Sequence, residues 1–409
     1  MKLIYAVGIR FFGALIYFFS FFNEKAKLWV SGRADWQKKV ALIPTSSYWF
    51  HCASLGEFDQ AAPLIRLIKE ERPAALVTVS FFSPSGMQHY QKRNVPVDFA
   101  VYMPLDTREN AKKFLKLLEP CLAVFVKYEF WLNHIDQCKK LHIPMISLSS
   151  IFRENQIYFK WYGKYFLQKI TFIDYFFVQD EKSKKLLKEH GLCNVEVTGD
   201  TRFDTVHQNA LKYQHNSDPI LEQFSNKEFV LIIGSSWAPE ERIVKQAANM
   251  FRSMKVIIAP HNVHTQNIER IQSSLEQPSM CYSKYDLNEK NPMERILILD
   301  TIGQLSMAYK YGDLAFVGGG FSGKLHNILE PAVFGLPICF GPKFSKFPEA
   351  LLFLEKNIAH VVKNENELID LLKRFEKKKD QRPNVQQIME QQKGASQKVL
   401  SRLRELELY

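Results

Sequence analysis

The sequence lacks paired cysteines. Its six, Cys52, Cys121, Cys138, Cys193, Cys281 and Cys339, stand singly with no CxxC among them. That spacing excludes a disulfide framework and predicts free thiols in a reducing compartment. Zinc-finger spacing and clustered arginines are also missing, so nucleic acid is not an expected partner. No Walker A loop occurs, and no GxGxxG follows an early strand with an acidic residue about twenty positions on. Kinase and dehydrogenase readings therefore lose their support. His261 and His264 do not form an HExxH pair and have no spaced carboxylate partner, so no metal is expected. The chain carries no repeat and no low-complexity tract.

What is present is a chain of 409 residues, 46% apolar and 24% charged. That is a globular composition, long enough for roughly two domains. The formal charge is +11. With nucleic acid set aside, an anionic membrane or an acidic small substrate remains to account for it. Residues 3–22, LIYAVGIRFFGALIYFFSFF, are apolar apart from Arg10. The stretch is long enough to span a bilayer or to lie in its interface, where Arg10 costs less. No small-residue cleavage site follows, so a signal peptide is not expected. Lys25, Lys27, Arg33, Lys38 and Lys39 come next and suit an anionic cytoplasmic leaflet. The reading is a membrane-associating segment over 1–24 with the body in the cytoplasm; a buried helix of the first domain is its structural alternative.

Strands and helices then alternate. Apolar runs at 48–54, 75–81, 99–105, 121–128, 144–150, 174–180 and 195–200 predict strands. Amphipathic stretches such as 58–71 and 181–191 predict helices between them. Residues 205–226 are polar and unpatterned and are expected to form a linker. A second series of strands follows at 229–236, 254–260, 295–300, 314–320, 336–341 and 360–362, and the acid- and lysine-rich tail from 365 is expected to be helical. Continuous apolar strands alternating with helices mean parallel sheets covered on both faces. The expected class is α/β, with two Rossmann-like domains facing a cleft, one over 25–210 and one over 211–409.

Ligands in such sheets bind beyond the C-terminal strand ends, so the residues there are the candidates. In HCASLGE (51–57), Gly56 allows a tight turn and Glu57 stands at a helix mouth, as either a helix-terminus charge or a general base. Glu129 follows a buried strand beside Trp131, and Arg153 follows another. In the second half, GSSWAPEE (234–241) leads small polar residues into a helix. Gly303 opens a further helix. LAFVGGGFSGKLHNILEPAVFGLP (314–337) ends a strand on three glycines, and Asn327 with Glu330 fits a capping pattern. Helix mouths suit phosphate, and a carboxylate nearby suits a sugar's vicinal hydroxyls.

Several motifs resemble those of the 3-deoxy-D-manno-octulosonic acid (Kdo) transferases of lipopolysaccharide synthesis. HCASLGE (51–57) is similar to the family's H-S-x-S-x-G-E, and KYEFWLN (127–133) to its E-x-E-L-W-P-N. TGDTRFD (198–204) matches T-G-x-x-K-F-D, with Arg202 for the lysine. GQL (303–305) stands for G-E-L. DLAFVGGGF followed by HNILEPAVFGLP is the strongest match. The resemblance runs almost end to end and implies GT-B glycosyltransferase architecture. It implies transfer of Kdo from CMP-Kdo to a lipid A precursor at the cytoplasmic face of a bacterial inner membrane, with no cofactor. On it, Glu57 falls on the catalytic base. Pro260, His261, Ile302, Gly303, Gly319, Gly320, Asn327 and Glu330 fall in the CMP-binding part. Ser54, Gly56, Glu129, Arg153 and Arg202 are the candidates for the substrate side, with loop ordering the alternative for Glu129 and solvent contact the alternative for Arg153. The chain departs from the family at PHNVH (260–264), where a donor-contacting arginine becomes His261, and at SSIFR (149–153), which holds Arg153. The alternatives are another GT-B glycosyltransferase or nucleotide-sugar epimerase, and a non-catalytic lipopolysaccharide-binding membrane protein.

Overall fold

The apolar runs become strands because both faces of each are covered. A computed structural model of the protein describes residues 1–226, 228–251, 254–289, 293–377 and 382–408. The chain divides into two units. Unit 1 is Met1–Thr205 together with the segment from Gly394 onward, and unit 2 is Val206–Lys393.

The strands of unit 1 are β1 (Tyr48–Cys52), β2 (Val77–Phe81), β3 (Phe99–Tyr102), β4 (Leu122–Val126), β5 (Met145–Ser150), β6 (Tyr175–Val178) and β7 (Val195–Val197). They pair in the order β3-β2-β1-β4-β5-β6-β7, all parallel. Side chains alternate across the sheet as the pleat requires. Trp49, Phe125 and Phe176 enter one core, and Phe50, Val124 and Phe177 enter the other. Chain order reverses between β1 and β4, which makes the crevice beyond their C-terminal ends the place for a ligand.

Four helices open the chain: α1 (Lys2–Phe19), α2 (Glu24–Gly32), α3 (Trp36–Ala41) and α4 (Leu55–Glu71). α1 has 18 residues of mean hydropathy 1.6, enough by length and composition to cross a membrane, and none of it is buried. One flank is tied to unit 1. Tyr5 O–H donates to the buried Asp106 at 2.5 Å. Phe12 stacks on Phe82 with ring centroids 6.0 Å apart. A side chain at Gly13 would meet Leu105 at 2.7 Å.

In unit 2, β8 (Val230–Ser236), β9 (Lys255–Pro260), β10 (Ser279–Cys281), β11 (Ile296–Ile298), β12 (Leu314–Val317), β13 (Ile338–Phe340) and β14 (Ala359–Val361) form a second parallel sheet. Its order is β10-β11-β9-β8-β12-β13-β14, with the reversal between β8 and β12. The short edge strand β10 has no apolar run of its own and was not expected from the sequence.

The stretch 205–226 is not an unpatterned linker. It holds the rest of the helix Arg202–Gln214 and the helix Pro219–Ser225. Val206, Leu221 and Phe224 are its buried anchors, too widely spaced among polar residues to show a period. The tail from 365 is helical, and its last helix, Ala395–Glu405, belongs to unit 1. Val399, Leu400 and Leu403 enter the same core as Phe50 and Leu64. Asp204 receives that helix, accepting from the backbone N–H groups of Gly394 (2.6 Å) and Ser396 (2.7 Å).

Candidate active site

In unit 1 the site grows from the ends of β1 and β4. Ser54 is the N-cap of α4, and its backbone N–H donates to Glu57 Oε2 at 2.9 Å. Ser54 Oγ donates to the same oxygen. Both bonds run from Ser54 to Glu57, and the first satisfies a backbone donor at the helix mouth, so the capping reading of Glu57 is correct as far as it goes. The other carboxylate oxygen is 3.5 Å from Lys127 Nζ. Lys127 has φ +60, a left-handed conformation that lysine rarely adopts. Its N–H donates to Leu148 O at 2.8 Å, which holds the strained residue beside β5.

Glu129 lies in the same loop. Its carboxyl has no hydrogen bond or ion pair among the described residues. Burial, and then the Glu57 charge, push it up to about 7 against the pull of Lys127. Two carboxylates and a lysine therefore meet at the reversal point of the sheet. Behind them, Asp106 accepts from His134 Nδ1 (2.6 Å) and from the backbone N–H groups of Asn133 (3.0 Å) and His134 (3.1 Å). These bonds fix the start of the helix that follows the Glu129 loop. Asp106 is also the group that Tyr5 of α1 reaches.

The remaining candidates of unit 1 fare differently. Gly56 does not make a turn; it sits in the first turn of α4 without a positive φ. A Cβ there would meet only Ser54 Oγ, at 3.7 Å, so the glycine leaves the helix mouth open. Arg153 is exposed past the end of β5, where its N–H donates to Gln156 Oε1. Arg202 is held by the buried Asp200, with Nε and Nη2 donating to Oδ2 at 2.9 and 2.6 Å. Burial raises the Asp200 carboxyl, but the Arg202 guanidinium and hydrogen bonds from Arg202 and Gln60 outweigh it and hold it low. That pair builds the join to the following helix.

In unit 2 the site grows from β8, β9 and β12. The glycines after β12 are required by backbone, not by open space. A Cβ on Gly318 would lie 2.1 Å from Ser235 O, one on Gly319 2.1 Å from Lys324 O, and one on Gly320 2.4 Å from Gly341 N. The Gly318 N–H donates to Gly234 O, and the Gly319 N–H to Glu240 Oε1 at 2.9 Å. The free amides of these three glycines thus reduce to that of Gly320, which has no partner among the described residues. Glu240 also accepts from Trp237 N–H, closing the start of the helix Ala238–Met250.

Pro260 ends β9, and the exposed His261 ring stacks on Trp237 at 4.4 Å and 22°. His326 stands 4.8 Å from His261 and faces Trp237 Nε1 at 3.2 Å. Burial, and then His261, lower the His326 pKa, so this ring is neutral at pH 7. The sequence singled out neither Trp237 nor His326; they are single residues from segments far apart in the chain.

Glu330 collects the rest. Oε1 accepts from Asn327 Nδ2 and Oε2 from Ser306 Oγ, both at 3.1 Å. Asn327 Oδ1 accepts the Leu329 N–H at 3.1 Å, but the helix Leu329–Val333 has Ile328 as its N-cap, one residue past the expected Asn327, and no side chain caps it. Ser306 lies just past Gly303, which has φ +109, and Ile302, which is 87% exposed. The 302–306 and 327–330 segments, far apart in sequence, are therefore joined here.

Two parallel α/β units with polar clusters at their sheet reversals define a GT-B fold. UDP-GlcNAc 2-epimerase from Neisseria meningitidis superposes with TM-score 0.60 at 13% identity, covering 88% of this chain and 100% of that one. MurG from Acinetobacter baumannii gives TM-score 0.55 at 12%, covering 88% and 100%. At such identities the likeness is one of fold alone.

The sequence comparisons go further. Residues 30–205 match the family described as 3-Deoxy-D-manno-octulosonic-acid transferase (kdotransferase). The 3-deoxy-D-manno-octulosonic acid transferase of Chlamydophila psittaci is 27% identical over 72% of this chain and 69% of its own length. Those of Aquifex aeolicus (26%, over 79% and 84%) and Haemophilus influenzae (24%, over 76% and 74%) are similarly related. Over residues 30–205, and at 24–27% identity over most of its length, the chain is thus similar to the Kdo transferases.

Proposed function

We propose that this chain transfers Kdo from CMP-Kdo to a hydroxyl of a lipid A precursor of the lipid IVA type, with inversion and release of CMP. The observation that carries the reading is the Glu57–Lys127–Glu129 constellation at the reversal point of unit 1. Glu57, oriented by Ser54 and Lys127, takes the proton of the acceptor hydroxyl. The hydroxyl oxygen bonds to the anomeric carbon as the bond from that carbon to the CMP phosphate oxygen breaks. The electron pair leaves on the phosphate. Glu129, protonated below neutrality, offers an O–H donor beside the base.

The donor falls to unit 2. Glu330, held by Asn327 and Ser306, accepts from the ribose hydroxyls, with Ile302 and Gly303 in the adjoining loop. Pro260 and His261 supply the end of β9, and the Gly320 amide is the free backbone donor for departing phosphate. Gly319 shapes that turn. His261 brings no fixed charge where the family carries arginine, so Trp237 and His326 complete this part of the site. The proposal calls for no cofactor and no metal.

The acceptor is anionic and its acyl chains lie in a bilayer, which suits a net charge of +11 and an exposed apolar α1. The body then works at the cytoplasmic face of a bacterial inner membrane. Incubated with CMP-Kdo and tetraacylated acceptor, the purified chain is expected to add the mass of Kdo, and UDP-sugars are not expected to replace the donor. Glu57→Gln keeps a capping side chain and is expected to lower the rate by about 10²–10⁴-fold with little change in Tm. No Kdo adduct in the wild type sinks the transferase reading. Near-normal turnover in the variant sinks the base.

A further inference from the structure

A cavity of about 480 Å³ lies in unit 1 where α1, α2 and α3 meet the segment after β3. Its apolar wall includes Gly13, Ala14, Trp29, Val30, Trp36 and Leu105. That volume is in the range of small-ligand sites, roughly 300–1,000 Å³.

One cation lining this cavity is Arg33. Its guanidinium donates to three backbone carbonyls, those of Met103 (2.8 Å), Trp29 (3.0 Å) and Phe82 (2.7 Å), and lies 3.6 Å over the Trp29 ring. Among the described residues it has no carboxylate partner. A guanidinium has five N–H donors, and the three contacts leave two for an incoming anion. Burial without a counter-ion pushes this group down to about 9, the mark of a cation placed where the protein itself does not neutralise it. The indole N–H of Trp29 is likewise buried with no partner among the described residues. Arg10 lines the same cavity and is held only by a loose, exposed contact to Glu109 at 3.4 Å, which an anion can displace.

The surroundings name the occupant. α1 turns Leu3, Ile4, Val7, Phe11 and Phe18 outward, each more than half exposed, from the same helix whose other flank lines the cavity. The cavity is thus continuous with an apolar surface that a bilayer would cover. On its inner side, Arg33 binds Phe82 O, and the Phe82 ring packs on Trp131 at 4.7 Å. Trp131 follows Glu129 by two residues, and the Ser83 N–H donates to Ala53 O beside the Ser54–Glu57 cap. One aromatic pair therefore separates the cavity from the carboxylates. A molecule whose hydroxyl sits at Glu57, and which carries both acyl chains and anionic groups, can reach both places.

We propose that this cavity receives one acyl chain of the lipid acceptor, with Arg33 and Arg10 binding an anionic group of that acceptor at its mouth. The inference rests on the transferase reading for the identity of the lipid. It makes chain length a determinant of acceptor choice, read by the α1–α2–α3 corner and not by the sugar site.

Val30→Phe fills the cavity from α2 without touching the carboxylates. With CMP-Kdo as donor, kcat/KM is measured on long-chain and short-chain acylated acceptors. The ratio of long to short is expected to fall at least tenfold in the variant. An unchanged ratio overturns the proposal. A second measurement needs no turnover. The full chain in detergent micelles is titrated with dibromostearate, whose bromines quench nearby tryptophan, here Trp29 and Trp36. Quenching is expected in the wild type and should be at least halved in both Val30→Phe and Ala14→Leu. Equal quenching in all three proteins overturns the site. Pocket-dependent quenching in a protein that transfers no Kdo would support the acyl site and sink the transferase assignment instead.

Discussion

Glu129 is the residue whose environment says most. Its carboxyl is buried beside Glu57 and raised to about 7 from an ordinary value near 4.5. A carboxyl raised on folding contributes its stability below the unfolded value, and loses it as pH rises through the folded one. The window is therefore from about pH 4.5 to about pH 7, and stability falls across it. At 1.36 kcal/mol per unit, the loss is at most about 3 kcal/mol. Glu129→Gln has no proton to lose, so its unfolding free energy is expected to fall less between pH 5 and pH 8 than the wild type's. Denaturant melts at both pH values check this, and parallel curves for the two proteins would remove Glu129 from the titrating groups. At this scale Glu57 was readable from sequence as a cap, because that role follows from a carboxylate three residues past a serine. Arg202 was not: its expected contact with substrate meets a guanidinium already held by Asp200, two residues away. Spacing alone does not tell a free arginine from one engaged with its neighbour.

At the scale of elements, the glycines divide by what lies against them. Gly319 combines φ +86 with a Cβ position 2.1 Å from Lys324 O, and backbone does not give way as a flexible side chain does. Gly319→Ala is expected to cost upwards of about 2 kcal/mol. Gly56 is the reverse case. It is helical, exposed and unopposed, so Gly56→Ala should stabilise α4 by up to about 1 kcal/mol while crowding the helix mouth. Urea melts together with Kdo transfer separate the two. The expected pattern is lost stability at Gly319, and at Gly56 gained stability with lost activity. A stable Gly319→Ala would undo the packing account of the turn. The glycine run was legible as a turn, but its tenants were not. Glu240, 79 residues away, takes the Gly319 amide.

At the scale of the whole molecule, the last helix is the surprise. It follows unit 2 in sequence and completes the core of unit 1. Val399, Leu400 and Leu403 are fully buried there. At about 1.5–3 kcal/mol for each buried side chain, ending the chain at Lys393 is expected to remove at least about 4 kcal/mol from unit 1 and little from unit 2. Hydrogen exchange on the shortened protein should show lost protection in β1, β2 and α4 with β8 and β9 unchanged. Equal loss in both units, or none, would contradict that division.

By itself the sequence determined the class of fold, the parallel sheets, the reversal-point carboxylate Glu57, the turn at 318–320 and the likeness to Kdo transferases. Each of these is written in local terms, as a run of apolar residues, a cap spacing or a motif of a few positions. Tertiary structure alone decided which groups at those positions remain available. It joined Ser306 to Glu330 and Trp237 to His326, took the Gly319 amide for Glu240, and laid one flank of α1 on Asp106 and Phe82. Among the described residues it also left Arg33 without a counter-ion, beside an apolar cavity. These hydrogen bonds are settled between residues 24 to 101 positions apart, and no local pattern records them.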